Sequence, residues 1–452
     1  MWLKNTSRFM NLINKTVFKL KGLIKTSFVK DVSLLQISNF FSIFVGAISS
    51  IILARLLHPE MYGVYGLIFA FVGVIGIFMN WGADYAGLTL LAEAYAKKDR
   101  EEIINILAYY IKLTLFVILV VGVLGIIFSP LITQLMYHNS QIGGWGRIVL
   151  IGICFSVVYN MLNMILQASR KIKQLVVLEV FNKFIFTLLP IIFVLLGLGL
   201  SGLVWGYFVS ALIFLCISLL VLRFLSKKEE LSIDFKEIFS NFKKIDFKKY
   251  FNFGFLIAIN KNIGTLFSLL PVIILGILTM SSDIAYFKVA FGYIGIPLMV
   301  LNPVSRLLGV QLPKSKTYGI ETLRRHFYRV SFGSGLISFF LMVIFVVMGP
   351  FLIRFFYGVE YIESMKLVYG LSVFGFVSSI GVGLGPIYRT LDKMKIAIAT
   401  VIIQTILMVL LIVVLVKIFP PLLSVVLSLT LSAVIFLFIH FYILGKIFKK
   451  NA

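Results

Sequence analysis

From about residue 33 to residue 445 the chain is a nearly unbroken succession of apolar runs, separated by short polar segments. Crossing a bilayer core of about 30 Å takes roughly 20 mainly apolar residues at the helical rise. In lipid a backbone can satisfy its own N–H and C=O groups only as a helix or a closed barrel. The period-two alternation of an outer-membrane barrel is absent, so the runs are read as helices. The composition agrees: 60% of residues are hydrophobic and 13% charged, against about 25% charged in a soluble domain. Twelve spans are expected near 33–57, 62–86, 106–128, 146–168, 175–197, 202–224, 250–278, 284–310, 329–353, 365–388, 395–418 and 422–445. The expected fold class is therefore an all-α integral membrane protein with twelve transmembrane helices.

The net charge of +24 raises the question of nucleic acid, but its distribution answers it. Lysine and arginine concentrate in every second connection. The segments before span one and around 97–100, 170–173, 227–249, 314–325, 389–393 and 446–450 are basic; 129–145, 198–201 and 279–283 have neither residue. By the positive-inside rule this places both termini in the cytoplasm, in a multi-pass protein of the cell inner (cytoplasmic) membrane, with no nucleic-acid partner. Within 1–30, Phe9, Ile13, Val17, Leu20 and Ile24 recur at helical spacing among lysines. The expectation is a basic amphipathic segment resting on anionic membrane lipids rather than a cleaved signal peptide.

A shift of 222 residues brings the halves into register: Leu53 meets Leu275, Phe69 meets Phe291, Gly73 meets Gly295, Asn80 meets Asn302 and Lys173 meets Lys395. The expected organisation is a six-helix lobe over 31–224, a cytoplasmic amphipathic linker over 225–249 and a second six-helix lobe over 250–452. An even number of spans per half gives both halves one orientation. Such parallel repeats place a substrate path at the interface between lobes.

Buried charge is costly in a membrane, so polar residues inside spans mark candidate sites. Span one carries Gln36, Ser38 and Asn39, and span seven Asn260 and Lys261. In span two Asn80 and Asp84 share a helix face; the shift converts them to Asn302 and Arg306. Span four offers Asn160, Asn163 and Gln167, span five Glu179, Asn182 and Lys183, and span eight Lys288. The candidate cargo residues are Lys261, Arg306, Lys288, Asn39, Asn80, Asn260, Asn302, Asn163 and Gln167. The candidate gating or ion-coupling residues are Asp84, Arg306, Glu179 and Lys183. Simpler roles remain open: Glu179 and Lys183 can neutralise each other one turn apart, and the amides can serve as interhelical glue worth about 0.6 kcal/mol per bond. Lys261 has no acidic residue within a turn, which points it toward water or an anion. Cys154 and Cys216 form no CxxC pair and read as packing residues. With no P-loop, DxD, HExxH or metal-ligand spacing, neither an enzyme nor a metal or other cofactor is expected.

The stretch ILARLLHPEMYGVYGLI at 52–68 resembles the "LLaRlLgpeeyGlys" signature of polysaccharide flippases of the O-antigen type, and FVGVIGIFMNWGAD matches that family's polar, Gly-containing end of span two. His58 stands where the family often has glycine. The resemblance implies a member of the multidrug, oligosaccharidyl-lipid and polysaccharide exporter superfamily. It would move an undecaprenyl-diphosphate-linked oligosaccharide (an O-antigen, capsule or exopolysaccharide repeat unit) to the outer leaflet by alternating access. A proton or sodium ion and a polysaccharide polymerase are the further partners that reading admits. A multidrug or peptidoglycan-precursor exporter would share the fold; a membrane polymerase or scaffold would predict no two-lobe repeat. The turn itself is read as the outer link between spans one and two, with Arg55 snorkelling to the interface and Tyr62 and Tyr65 in an aromatic belt.

Overall fold

The computed structural model describes residues 27–79, 81–228, 235–243, 245, 247–299 and 301–451. The basic segment expected over 1–30 lies almost wholly outside them. The described residues are helical, with no strand among them. In chain order the helices are α1 Ser27–Met79, α2 Ala83–Lys97, α3 Arg100–Val117, α4 Val123–Tyr137, α5 Ser140–Ala168, α6 Ile172–Phe193 and α7 Gly199–Lys228. There follow α8 Phe235–Ser240, α9 Phe247–Leu278, α10 Ser281–Met299, α11 Asn302–Lys316, α12 Ile320–Phe356, α13 Ser364–Ile380, α14 Leu384–Thr390, α15 Met394–Leu415 and α16 Pro421–Asn451. Among the described residues nine helical stretches are long and apolar enough to cross a membrane, or ten if the bent pair α10–α11 counts as one. The protein is thus a multi-pass membrane protein.

Two of those stretches, Ser33–Met79 and Ile172–Leu225, run 47 and 54 residues, far more than one crossing needs. Each folds back on itself. In α1 the backbone leaves helical geometry at His58 (φ 56°, ψ 169°), and the Ser50 and Tyr62 hydroxyls then meet at 2.7 Å across the two arms. Between α6 and α7, Gly197 and Gly199 take positive φ, and Gly206 comes so close to Pro190 that a Cβ would stand 2.5 Å from its Cα. Other starts follow ordinary capping rules: Asp99 accepts from Glu102 N–H and Asn139 from Gln141 N–H.

Two expected spans end early. Spans two and eight were read as continuous over 62–86 and 284–310. Instead α1 stops at Met79 and resumes as α2 after Gly82 (φ 86°), and α10 stops at Met299 before a 48° bend into α11. A glycine in left-handed geometry and Pro303 at the start of α11 interrupt the ladders. Left-handed turn residues also recur in pairs, Lys98 with Gly319, His138 with Gly358 and Arg170 with Asp392, each close to the offset read in the sequence.

Two faces follow from the connections: a basic face bearing the turns near 98, 170, 317 and 392, and a lysine-poor face bearing those near 58, 138, 198, 280 and 358. At the lysine-poor end a single hydrophobic cluster joins both halves, from Leu53, Ile68 and Leu203 to Leu275, Tyr293 and Leu371. Toward the basic face the core divides. One cluster holds Ile103, Leu107, Leu162 and Phe214 of the first half, joined by Ile238 of the linker and Tyr250 at the start of α9; a separate one holds Leu312, Phe327, Ile387 and Leu444 of the second. Helix α9 lies along the first half over much of its length: Gly276 against Leu67, Leu269 against Gly73, Gly254 against Gly82, with Asn262 Nδ2 donating to the Ile77 carbonyl at 3.1 Å. The described part of the linker, read in the sequence as an amphipathic segment over 225–249, packs on the first half. Its short helix α8 docks on α3, where Ile238 is fully buried, Arg100 pairs with Glu237 at 2.7 Å and Lys112 donates to the Phe242 carbonyl at 2.7 Å.

Candidate functional site

The first arm of α1, α5 and α6 border an open cavity of about 450 Å³ in the half of the bundle nearer the basic face. Ser38, Asn39, Tyr159, Asn163, Glu179 and Lys183 line it, with Leu35, Ser42 and Asn182. Four of the candidate residues therefore meet in one place: Asn39, Asn163, Glu179 and Lys183. The charges do not neutralise each other. Glu179 Oε2 accepts from Ser38 Oγ at 2.9 Å. Lys183 points the other way, its Nζ 3.4 Å from where a Cβ on Gly46 would stand. No ion pair forms at either group among the described residues. The Asn163 amide oxygen is buried without a hydrogen-bond partner. A second cavity of about 390 Å³ adjoins through Tyr159 and Asn182 and is walled by Phe69, Phe186 and Tyr207. A third, of about 160 Å³, continues from Ser156 and Asn160 to Asp84 and Tyr110. Ile118, on its wall, belongs to a π-helical turn over Ile118–Gly122, a deformation common at functional sites.

Asp84 sits at the start of α2, hydrogen-bonded to the Tyr110 side chain and in the field of Lys261. Lys261, isolated in the sequence, thus has an acidic neighbour from the other half of the chain. On α9 the exposed residues Lys261, Gly264, Thr265 and Ser268 recur at helical spacing and form one polar stripe. Gly264 also borders a cavity of about 290 Å³ in the second half, together with Gln404 and His440. Gln167 lies exposed at the basic end of α5, outside these cavities. Asn80 lies outside the described residues, as do the side chains of Asn260, Asn302 and Arg306.

Lys288 occupies a different environment. Its Nζ sits 4.0 Å from the Tyr65 ring centroid and 4.6 Å from that of Tyr62, a cation–π arrangement between the halves. Tyr62 is 2% exposed, so the aromatic-belt expectation gives way: the turn packs inward on α10, and its rings face Lys288 instead of lipid headgroups. Arg55 likewise reaches across. Its Nε donates to the Phe356 carbonyl at 2.7 Å and a second nitrogen donates to that of Phe355, capping the end of α12 rather than snorkelling. His58 Nδ1 meets Glu360 Oε2 at 2.8 Å, and Tyr361 donates to the Ala54 carbonyl at 2.7 Å. Sequence reading gave no warning of this seam, because its partners are distant in the chain, from 223 residues for Tyr65 and Lys288 to 307 for Ala54 and Tyr361. Tyr110 and Tyr159 went unnoticed for the same reason: one tyrosine in an apolar run carries no local signal.

A family model described as "Polysaccharide biosynthesis protein" matches residues 52–366. The chain belongs to that family. Its fold is shared with solved transporters of low sequence similarity. An inward-facing multidrug resistance MATE family transporter of the MOP superfamily superposes with a TM-score of 0.77 at 15% identity, covering 93% of this chain and 99% of that one. The lipid II flippase MurJ, in an inward closed conformation, gives 0.72 at 16% identity, covering 91% and 87%. A MATE in complex with MaD3S gives 0.60 at 15% identity, covering 93% and 96%. No curated protein sequence gives a significant match. This family member therefore has the architecture of the MATE and MurJ structures.

Proposed function

We propose that the chain is a flippase that carries a lipid-linked oligosaccharide across the cytoplasmic membrane by alternating access. The observation that carries the reading is the hydrophobic core that is single at the lysine-poor end and divided at the basic end. Two halves hinged at one end can exchange which side is open. Membership of a polysaccharide biosynthesis family supports a glycan as cargo. Split at its two turns, the 47- and 54-residue stretches supply four crossings, and with the bent pair the total reaches twelve. The helix ends at Met79 and Met299, with new helices from Ala83 and Asn302, and the paired left-handed turns support two six-helix repeats. The basic face is then cytoplasmic, both termini with it, and the mouth opens where lipid-linked precursors are assembled.

In this reading Lys261, on the polar stripe of α9, meets the cargo's diphosphate, which a cation in a low-dielectric wall attracts. Lys261→Ala should fail to restore surface polysaccharide in a flippase-null strain at matched expression; full restoration would remove that role. A membrane polymerase would instead leave unflipped precursor unchanged on deletion. The deciding measurement is which leaflet holds the lipid-linked oligosaccharide that accumulates without the gene: the inner leaflet for a flippase, the outer for a polymerase. Asp84, beside Tyr110 and Lys261, is the group that would take up a coupling proton or sodium ion, and Glu179, in the cavity that also holds Lys183, would take up a proton only.

A further inference from the structure

We propose that the cavity between the first arm of α1, α5 and α6 is a binding subsite for a hexose residue bearing an anionic substituent, with Lys183 receiving the anion and Glu179, Asn39, Asn163 and Asn182 receiving hydroxyls. The proposal rests on the flippase reading and adds to it the charge of the sugar.

Four observations lead there. The volume, about 450 Å³, falls within the range of small-ligand sites, roughly 300–1,000 Å³. The lining is that of a polyol site: three amides and two serine hydroxyls with one carboxylate and one tyrosine ring. Glu179 is steadied by Ser38, so its other oxygen remains to accept from a sugar hydroxyl. The buried Asn163 oxygen has no partner within the protein, and a ligand hydroxyl would supply one; leaving such a group unmet is costly.

The sign of the ligand follows from Lys183. It extends over Gly46, midway along a membrane arm, with no carboxylate on it among the described residues. A cavity that already holds an ammonium does not suit a metal cation, and no cluster of three His, Cys, Asp or Glu is present among the described residues. An anion does suit it, and a charge-assisted hydrogen bond there is stronger than a neutral one. The adjoining cavities, linked first through Tyr159 and Asn182 and then through Asn160, continue the track with aromatic and amide walls. That suits an oligosaccharide rather than a single sugar.

The test is ligand-observed saturation-transfer NMR on the purified full chain in lipid nanodiscs, with glucuronic acid, glucose 1-phosphate and glucose as probes. At least one anionic hexose should bind about tenfold tighter than glucose. Lys183→Gln should abolish that preference while glucose binding stays within about twofold, and Lys183→Arg should keep it. Preference for glucuronate assigns the anion to a repeat-unit sugar; preference for glucose 1-phosphate assigns it to the sugar next to the lipid diphosphate. Equal binding of all three probes, retention of the preference in Lys183→Gln, or displacement of bound sugar by sodium but not by choline overturns the proposal. Leaflet assays separate the two levels. Loss of translocation with intact anion-selective binding counts against the flippase reading alone; intact translocation without such binding counts against the subsite alone.

Discussion

At the scale of single residues, position 58 shows a side chain gained against backbone preference. Its φ of 56° with ψ of 169° lies where essentially only glycine is at ease, and holding another residue there costs on the order of 1–3 kcal/mol. The return is a 2.8 Å contact of the ring with the Glu360 carboxylate between exposed groups, and even a charged exposed pair contributes only about 0–1 kcal/mol. The strain is larger, so His58→Gly should raise the thermal midpoint of the detergent-solubilised protein, while Glu360→Gln should leave it nearly unchanged. A lower midpoint for the glycine variant would show that the pair outweighs the strain. Some of this scale was legible beforehand. Asn39, Asn163, Glu179 and Lys183 were singled out as polar groups inside apolar runs, and they share one cavity. That Glu179 and Lys183 diverge was not legible, because one-turn spacing permits pairing and only the neighbouring helix decides. Ser38 draws the carboxylate one way, and the space over Gly46 admits the ammonium the other way.

At the scale of elements, the helices were legible from hydropathy and their interruptions were not. Hydropathy averages over a window, and Asn80-Trp81-Gly82 barely lowers it, so the break between α1 and α2 passed as span. The same averaging hid the bend between α10 and α11. Helix crossings escaped notice for a different reason: they rest on glycines whose partners are distant in sequence. At the lysine-poor end a Cβ on Gly63 would lie 1.7 Å from the Ser281 carbonyl oxygen; toward the basic end one on Gly82 would lie 2.1 Å from that of Gly254. Backbone on both sides leaves no room to yield. Gly63→Val should therefore part α1 from α10 and admit aqueous maleimide to a cysteine placed at position 65. Gly82→Val, at the opposite end, should leave that cysteine protected. Equal labelling in both variants would mean that the crossings are not independent.

At the scale of the whole molecule, alternating access requires that the divided end close when the joined end opens. The proposed repeat would make Asp84 and Arg306 equivalent positions on the two halves. Here Asp84 sits beside Tyr110 and in the field of Lys261. Closure should bring Asp84 to Arg306. The double exchange Asp84→Arg with Arg306→Asp should then recover transport that each single change loses, measured as surface polysaccharide at matched expression; no recovery would count against the pairing. The all-helical, multi-pass plan itself was visible in the chain, through its apolar runs, because membrane crossing is written in composition. The path of α9 was not. Its apolar surface fits either half, and its crossing against the first half is set by glycine contacts that hydropathy does not register.

The seam at the lysine-poor end holds the two halves by a lysine caged between tyrosine rings, an arginine on two carbonyls and a histidine–carboxylate contact. At the basic end the described residues fall into two separate clusters, and only the start of α9, through Tyr250 and Phe251, ties the second half to the first. Such asymmetry sets a default. With the basic face inward, as proposed, an empty carrier waits with its mouth toward newly made precursor, and recruitment requires no work. The energetic burden falls on unlatching the far side, so any fuel that turns the cycle has its point of purchase at release, not at capture.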